Sequence, residues 1–344
     1  MASDRPTPRR ATIQDVARRA GVSSTTVSHT FSGNGTVATA TQQRVRAAAD
    51  ALGYRPDALA RGLRSSRLGV IALVERSVID FGPHAVLGVD YFLRFAGAAA
   101  LAAVDQGYGL MFVPDPSEED APMVAFACDG FLVTEPTSND HLLTTLERHG
   151  IPHLSVGRDP ARERPDTVVD IATELITDRV LDHLADGGAK RVAVIVGTDE
   201  NAWNLDTEAA YRAWAVRLGH EPLVVRQPER SDEAGGREAA ELLSSDGTVD
   251  AIYALTAEHA LGALALLRER GLLPHVQLVC GSDAESLRAA TPAISAVDLL
   301  PEALAWEATM RLLTLVDGIE RPAPTPDHGR INVRRTSGRR DQRG

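Results

Sequence analysis

Short apolar runs, each followed by a stretch of helix length, recur along most of this chain. They fall at residues 68–74, 109–113, 130–133, 153–156, 191–196, 222–225, 251–255 and 276–280. In the first, Leu68-Gly-Val-Ile-Ala-Leu-Val74, the apolar side chains are continuous rather than alternating. A strand of that kind is buried on both faces, the condition of a parallel sheet covered by helices. Amphipathic stretches lie between many of the runs, at 95–106, 171–185, 207–218 and 260–270. Alternation of strand and helix predicts an α/β core. The runs are too numerous for one sheet of ordinary size. The expectation is two parallel-sheet lobes, with the first change of lobe near 157–165.

At roughly 100–200 residues per domain, 344 residues leave room for two or three domains. Hydrophobic residues at 44% and charged residues at 24% are ordinary globular values, which excludes bulk disorder. A net charge of −11 and a pI near 5.4 argue against a nucleic-acid partner if spread evenly. They are not spread evenly. Residues 1–67 hold eleven arginines against four aspartates, a net +7, and the remainder carries −18. A basic segment on an acidic body points to a nucleic-acid-binding arm, provided that the segment folds.

The pattern says that it does. Residues 1–11, rich in Pro and Arg, read as a flexible arm. Thr12 and Asp15 form a capping box, Ile13, Val16, Ala17 and Ala20 make one apolar stripe, and Gly21 ends the helix. Ser23 is placed to cap a second helix with Val27 and Phe31 inward and Ser24, Thr25, Ser28 and His29 outward. Two short helices, a tight Gly-containing turn and a polar face on the second helix describe a helix-turn-helix. Thr39 and Gln42 suggest another capping box opening a third helix, with Val45, Ala48, Ala49 and Leu52 inward and Gly53 as its stop. Residues 57–64 suggest a fourth helix too short to stand alone in water, weakened further by Gly62.

TIQDVARRAGVSSTTVSHTFSG and TQQRVRAAADALGYRPDALARGLRSSRLGVIALV resemble the lactose-repressor (LacI/GalR) family of bacterial transcription regulators. The resemblance implies an all-α helix-turn-helix head plus an α/β periplasmic-binding-protein-like core of two parallel-sheet lobes. It implies a head over 12–55, a hinge helix and linker over 56–67, and an effector-binding and dimerisation core over 68–344. Lobe 1 would take about 68–160 and 292–318, and lobe 2 about 161–291 and 319–336. By the same resemblance Ser24, Thr25 and His29 read bases, and Ser23, Thr26, Ser28, Ser32 and Tyr54 hold phosphates. Leu63 would wedge into the minor groove, with Ala60 letting two hinge helices approach. His29 stands where the family often has Arg, and Ser32 where it often has Asn. A histidine lacks the bidentate fork of arginine, so a different operator preference is expected.

In open α/β sheets, ligands bind beyond the carboxyl ends of the strands. That rule nominates Glu75, Arg76, Glu135, Arg158, Trp203, Asn204, Thr256 and Asp283. Asp283 matches the effector-binding acid of the family, and Trp203 offers an aromatic face for a sugar or base. Other family landmarks are replaced, among them an Asn-Asp pair whose place is taken by Thr256-Ala257. The effector's identity is therefore open, with sugar-like or nucleoside-like chemistry expected.

Phosphate-cradling, hydrolase and metalloprotease motifs are absent from the sequence, and its ten histidines have no metal-ligand spacing. Neither an enzyme nor a cofactor or metal is expected. Cys128 and Cys280 sit in apolar runs and read as buried free thiols. The N-terminal segment lacks an apolar signal core and no stretch reads as membrane-spanning, so a cytoplasmic protein is expected rather than an exported sugar receptor. The expected function is an operator-binding regulator, a repressor by family habit. It would bind a palindromic operator as a homodimer under control of an effector between the lobes. Inducer and co-repressor logic both fit.

Overall fold

The computed structural model describes residues 11–32, 36–55, 67–76, 90–119, 121–163, 166–245, 247–273, 275–323 and 329–338. Two compact units divide the chain, Met1–Gly69 and Val70–Gly344.

The first unit is three helices, α1 (Ile13–Ala20), α2 (Ser24–Ser32) and α3 (Thr39–Leu52). Thr12 and Asp15 cap α1 reciprocally, with the Asp15 carboxylate accepting from the Thr12 amide at 2.9 Å. Gly21 turns the chain at φ 65°, a backbone that only glycine adopts cheaply. The Ser23 hydroxyl accepts from the Thr26 amide at 3.1 Å and so caps α2. Val16, Ala17, Val27, Val45, Ala48 and Ala49 close a small core, with Ile13, Phe31, Leu52 and Tyr54 packed against it. The capping box expected at Thr39 does not form. The carbonyl of Ala38 already takes the amides of Thr41 and Gln42, so Ala38 is the cap residue and Thr39 lies inside the first turn. Gln42 instead donates to the Val37 carbonyl at 3.0 Å.

The second unit opens with β1 (Val70–Glu75), α4 (Asp90–Asp105), β2 (Gly109–Phe112), β3 (Phe131–Thr134), α5 (His141–Arg148), β4 (His153–Val156) and β5 (Val168–Val169). It continues with α6 (Thr173–Asp186), β6 (Val192–Val196), α7 (Ala202–Arg217), β7 (Leu223–Arg226), α8 (Asp232–Ser244), β8 (Ala251–Ala254) and α9 (Ala257–Glu269). It ends with β9 (Gln277–Cys280), α10 (Glu285–Ala289), β10 (Ser295–Asp298), α11 (Pro301–Asp317) and β11 (Arg330–Asn332). One sheet runs β2-β1-β3-β4-β5 and the other β11-β10-β9-β8-β6-β7. Every pairing is parallel except that of β10 with β11. Each apolar run of the sequence lies on one of these strands. Ile71, Leu73, Leu132 and Leu154 are fully buried in the first sheet, and Val194, Ile252 and Leu278 in the second. Cys280 is buried and Cys128 is half-buried, both as free thiols.

The lobe boundaries differ from the sequence expectation in two places. β5 still pairs with β4, through Val168 to Ser155, so the chain leaves the first sheet at 170–172 rather than near 160. β10 belongs to the second sheet and not to lobe 1, because the five-residue α10 returns the chain directly beside β9. Only at 299–300 does it cross back, and α11 then packs on α4 and on the first sheet. The sequence joins strand and helix without a break here, which hides the crossing. Each of these two crossings, which a third follows between α11 and β11, carries a non-glycine residue in the left-handed region just before a helix, Ala172 and Leu300, each at φ 55°. Such backbone costs of order 1 kcal/mol and persists only where the surroundings over-determine it.

α8 and α9 approach so closely that only glycine fits between them. A Cβ at Gly262 would lie 1.9 Å from the Glu233 carbonyl oxygen, and one at Gly236 would lie 2.2 Å from that of His259. An alanine at a helix interior gains about 1 kcal/mol over glycine. Overpacking against rigid backbone costs about 1–3 kcal/mol and here should exceed that gain. Gly262→Ala and Gly236→Ala should each lower the thermal unfolding midpoint of the full chain; an unchanged or raised midpoint would contradict the close approach.

Candidate nucleic-acid interface and interlobe cleft

Three side chains on α2 face outward without structural duties. Ser24, Thr25 and His29 are exposed, while Val27 is fully buried and Thr30 turns its hydroxyl back to the Thr26 carbonyl at 2.9 Å. The helix therefore holds its register through Val27 and leaves a face of hydroxyls and one imidazole. Hydroxyls serve phosphates or either base type, and the imidazole offers a single directional contact. Ser23 and Thr26 lie at the N-terminus of α2, their hydroxyls 2.9 Å apart, beside amides that favour anions. Ser28 is half-buried. The Tyr54 ring rests against Phe31, centroids 6.1 Å apart. Ser32 is the last residue of α2, and its side chain lies outside the described residues, as do Ala60, Leu63 and the rest of the expected hinge helix.

In the second unit the lobes meet at the carboxyl ends of their strands. Thr137, after β3, forms an antiparallel bridge with Asn201, before α7. The Ser138 amide donates to the Glu200 carbonyl at 2.9 Å. Arg158, after β4, donates to Asp206 of α7 at 2.5 Å. Arg288 of α10 reaches Asp90 at the start of α4, at 2.8 Å.

The nominated residues divide between facing this seam and holding their own loops. Glu75 is buried at the end of β1 and accepts from the Thr134 hydroxyl. Arg76 is gripped by Asp115 and by Asp140, the latter at 2.6 Å, which leaves it no free fork. Asn204 ties the loop after β6 to its own helix. Its Oδ1 accepts from the Gly197 amide at 2.9 Å, and its Nδ2 donates to the Asp199 carbonyl at 3.0 Å and to Glu229 at 2.7 Å. Thr256 is the N-cap of α9, accepting from the His259 amide at 3.3 Å. Trp203 is half-buried, with Cζ2 3.1 Å from where a Gly281 Cβ would stand, so the missing side chain at Gly281 makes room for the indole.

Asp283 is 5% exposed and lies inside a cationic shell. Arg334 donates to both of its oxygens, at 3.0 and 2.6 Å, Asn332 donates at 3.0 Å, and Arg288 stands at 3.5 Å. Burial pushes this carboxyl up, but the hydrogen bonds and charges of Arg334, Asn332 and Arg288 outweigh it and hold the group below its ordinary value. Arg334 and Asn332 were not nominated from sequence. They lie on or just after β11, and only its antiparallel pairing with β10 brings them to the loop after β9.

Glu135 behaves oppositely. It sits at φ 44° just past β3, and no described residue hydrogen-bonds its carboxylate. Burial, then the charges of Glu75, Glu229 and Asp199, push it up to about 8. Burial, then the charges of Glu135 and Glu75, also raise the phenol of Tyr91. Glu135 of lobe 1 thus lies within reach of the charges of Glu229 and Asp199 of lobe 2.

A head with a helix-turn-helix and a two-lobed core with polar groups at facing strand ends define a DNA-binding regulator. Residues 12–57 match the family described as bacterial regulatory proteins, lacI family, and residues 181–337 match a periplasmic binding protein-like domain. The transcriptional regulator AscG of Escherichia coli (strain K12) is 27% identical over 339 residues, covering 95% of this chain and 98% of that one. The repressor PurR of Vibrio campbellii is 30% identical over 270 residues, 76% of this chain and 78% of that one. Among solved structures, the Lac repressor dimer bound to operator and the anti-inducer ONPF superposes with a TM-score of 0.79 at 20% identity, covering 96% of this chain and all of that one. The CelR–cellobiose complex gives 0.68 at 24% identity, covering 96% of this chain and all of that one. This chain belongs to the LacI family of bacterial transcriptional regulators. Its named relatives are regulators rather than enzymes.

Between the unfolded value of a glutamate and about 8, the folded chain holds a proton on Glu135 that the unfolded chain releases. Stability from this group is therefore highest at low pH and falls as pH rises through that window. Glu135→Gln should raise the thermal unfolding midpoint at pH 8 and flatten its decline between pH 5 and 8. A parallel pH dependence in the two proteins would show that Glu135 ionises normally.

Proposed function

We propose that this regulator represses transcription by binding a palindromic operator as a homodimer, under control of a sugar-like or nucleoside-like effector held between the lobes. The observation that carries the reading is the outward face of Ser24, Thr25 and His29 on a helix whose other side is locked into the head's core. Residues 12–55 form the reading head, 56–67 the hinge and linker, and 68–344 the effector and dimerisation core. Ser23, Thr26, Ser28, Ser32 and Tyr54 hold phosphates, Leu63 wedges the minor groove, and Ala60 allows the second hinge helix close. In the cleft, Asp283, Trp203, Asn204, Arg158, Glu75 and Thr256 are the effector contacts, with Asn204 and Thr256 also engaged by their own loops. The protein acts in the cytoplasm, where its DNA is. Among the described residues no helix is long and apolar enough to cross a membrane.

Exposed apolar surface supports the homodimer. α4 leaves Leu93, Leu101 and Val104 exposed on one stripe, and Phe112 is exposed on β2, an edge strand of its sheet. An uncovered edge beside an apolar helix face is a pairing surface for a second copy. Relatives support the ligands. One solved neighbour is a Lac repressor dimer bound to operator, another is a complex with cellobiose, and several relatives are named transcriptional repressor PurR. Effector binding shifts the angle between lobes, which sets the spacing of the two hinge helices and so the operator affinity.

Selection of bound sequences from random DNA should recover a palindrome with half-sites about 10 bp apart. His29→Ala should relax preference at one base pair of each half-site, by about 1–3 kcal/mol, without loss at the others. Leu63→Ala should weaken binding to the selected site far more than to random DNA; equal losses would remove the wedge. Affinity should fall steeply with salt despite the acidic pI, because the +7 segment supplies the phosphate contacts.

A further inference from the structure

Charged side chains continue along the lobe seam beyond the contacts that frame the cleft. On the lobe 1 side stand Asp90 and Arg94 of α4 and Glu302 of α11. On the lobe 2 side stand Asp283, Arg288, Asp298, Arg330 and Arg334. Arg94 donates to Glu302 at 2.7 Å and reaches Asp298 at 3.3 Å. Arg330 meets the other oxygen of Asp298 at 3.2 Å. Arg288 has one nitrogen on Asp90 at 2.8 Å and another 3.5 Å from Asp283, which Arg334 holds from behind. Positive and negative groups alternate along this row, and Arg94 and Arg288 each lie between two carboxylates.

Pairs inside one lobe persist whichever way the lobes swing. Only pairs that span the seam depend on closure, and among the described residues these include Asp90–Arg288 and Arg94–Asp298 beside the Arg158–Asp206 pair of the cleft. Asp90 and Arg288 are 24% and 43% exposed, so their attraction is modest in water. Modest is sufficient for a rigid-body equilibrium, in which a preference of 1 kcal/mol already changes the populations about five-fold.

We propose that Arg288 is a positioning residue that latches the two lobes shut in the absence of effector, by bridging Asp90 of lobe 1 to Asp283 of lobe 2. The bridge has a consequence for regulation, which rests on the proposed effector role of Asp283. A ligand that engages Asp283 competes with Arg288 for the same carboxylate and loosens its hold on Asp90. Occupancy of the cleft and the angle between lobes are then coupled through one guanidinium, with two discrete partners to choose between.

The Ser138 amide reports on closure, because its acceptor, the Glu200 carbonyl, belongs to the other lobe. Hydrogen exchange of the effector-free full chain, read at Ser138 by mass spectrometry, should speed up roughly three- to five-fold in Asp90→Asn and in Arg288→Gln. The double variant should be no faster than either single one, since both remove the same pair. Asp283→Asn should also speed exchange, although it touches no residue of lobe 1. Amides in β1 and β8 should keep wild-type protection in all four, which separates opening from unfolding. Unchanged exchange at Ser138 in the single variants, or multiplied effects in the double one, would overturn the latch. Unchanged exchange in Asp283→Asn alone would overturn the coupling. No effector enters these measurements, so they stand apart from any failure of the effector assignment.

Discussion

Burial of both faces of a parallel sheet is the constraint on which the core depends. Each strand needs a helix above or below it, and each helix must return the chain to the same end of the sheet. All strand ends of one polarity therefore gather on one side of each lobe. When the chain crosses between lobes at 170–172 and 299–300, those ends are brought face to face. Loops after the strands then carry polar residues that no core could accept, and the seam between lobes becomes the place where charge collects.

How that charge is distributed separates two kinds of acid. Asp283 is surrounded by Arg334, Asn332 and Arg288 and stays ionised. Glu135 meets Glu75, Glu229 and Asp199 instead, and its ionisation is suppressed. One acid is therefore part of the adhesive between elements, and the other is held among like charges from both lobes.

Much of this was legible in the residues. Continuous apolar runs announced buried strands, and Ile71, Leu132, Val194 and Leu278 are buried as expected. The Thr12–Asp15 box and Gly21 located α1, because both signals act within a few residues. The same local reasoning failed at Thr39, where the carbonyl of Ala38 took the first-turn amides one residue earlier than the hydroxyl pattern suggested. Asn204 and Thr256 hold their own loops and helix start, a use that sequence cannot distinguish from binding, since both need a short polar group at a helix start.

By itself the sequence determined the fold class, the basic head on an acidic body, and which helix face of the head is left polar. Those properties follow from periodicity and local capping, which neighbouring residues settle among themselves. Only the tertiary structure decided that β10 lies in the second lobe, that Arg334 and Asn332 enclose Asp283, and that Arg288 joins Asp90 across the seam. The side-chain contacts join residues 49 to 198 positions apart, and nothing local encodes them. They exist because the sheet order brings β11 beside β10, and because the chain crossings bring the strand ends of the two lobes together.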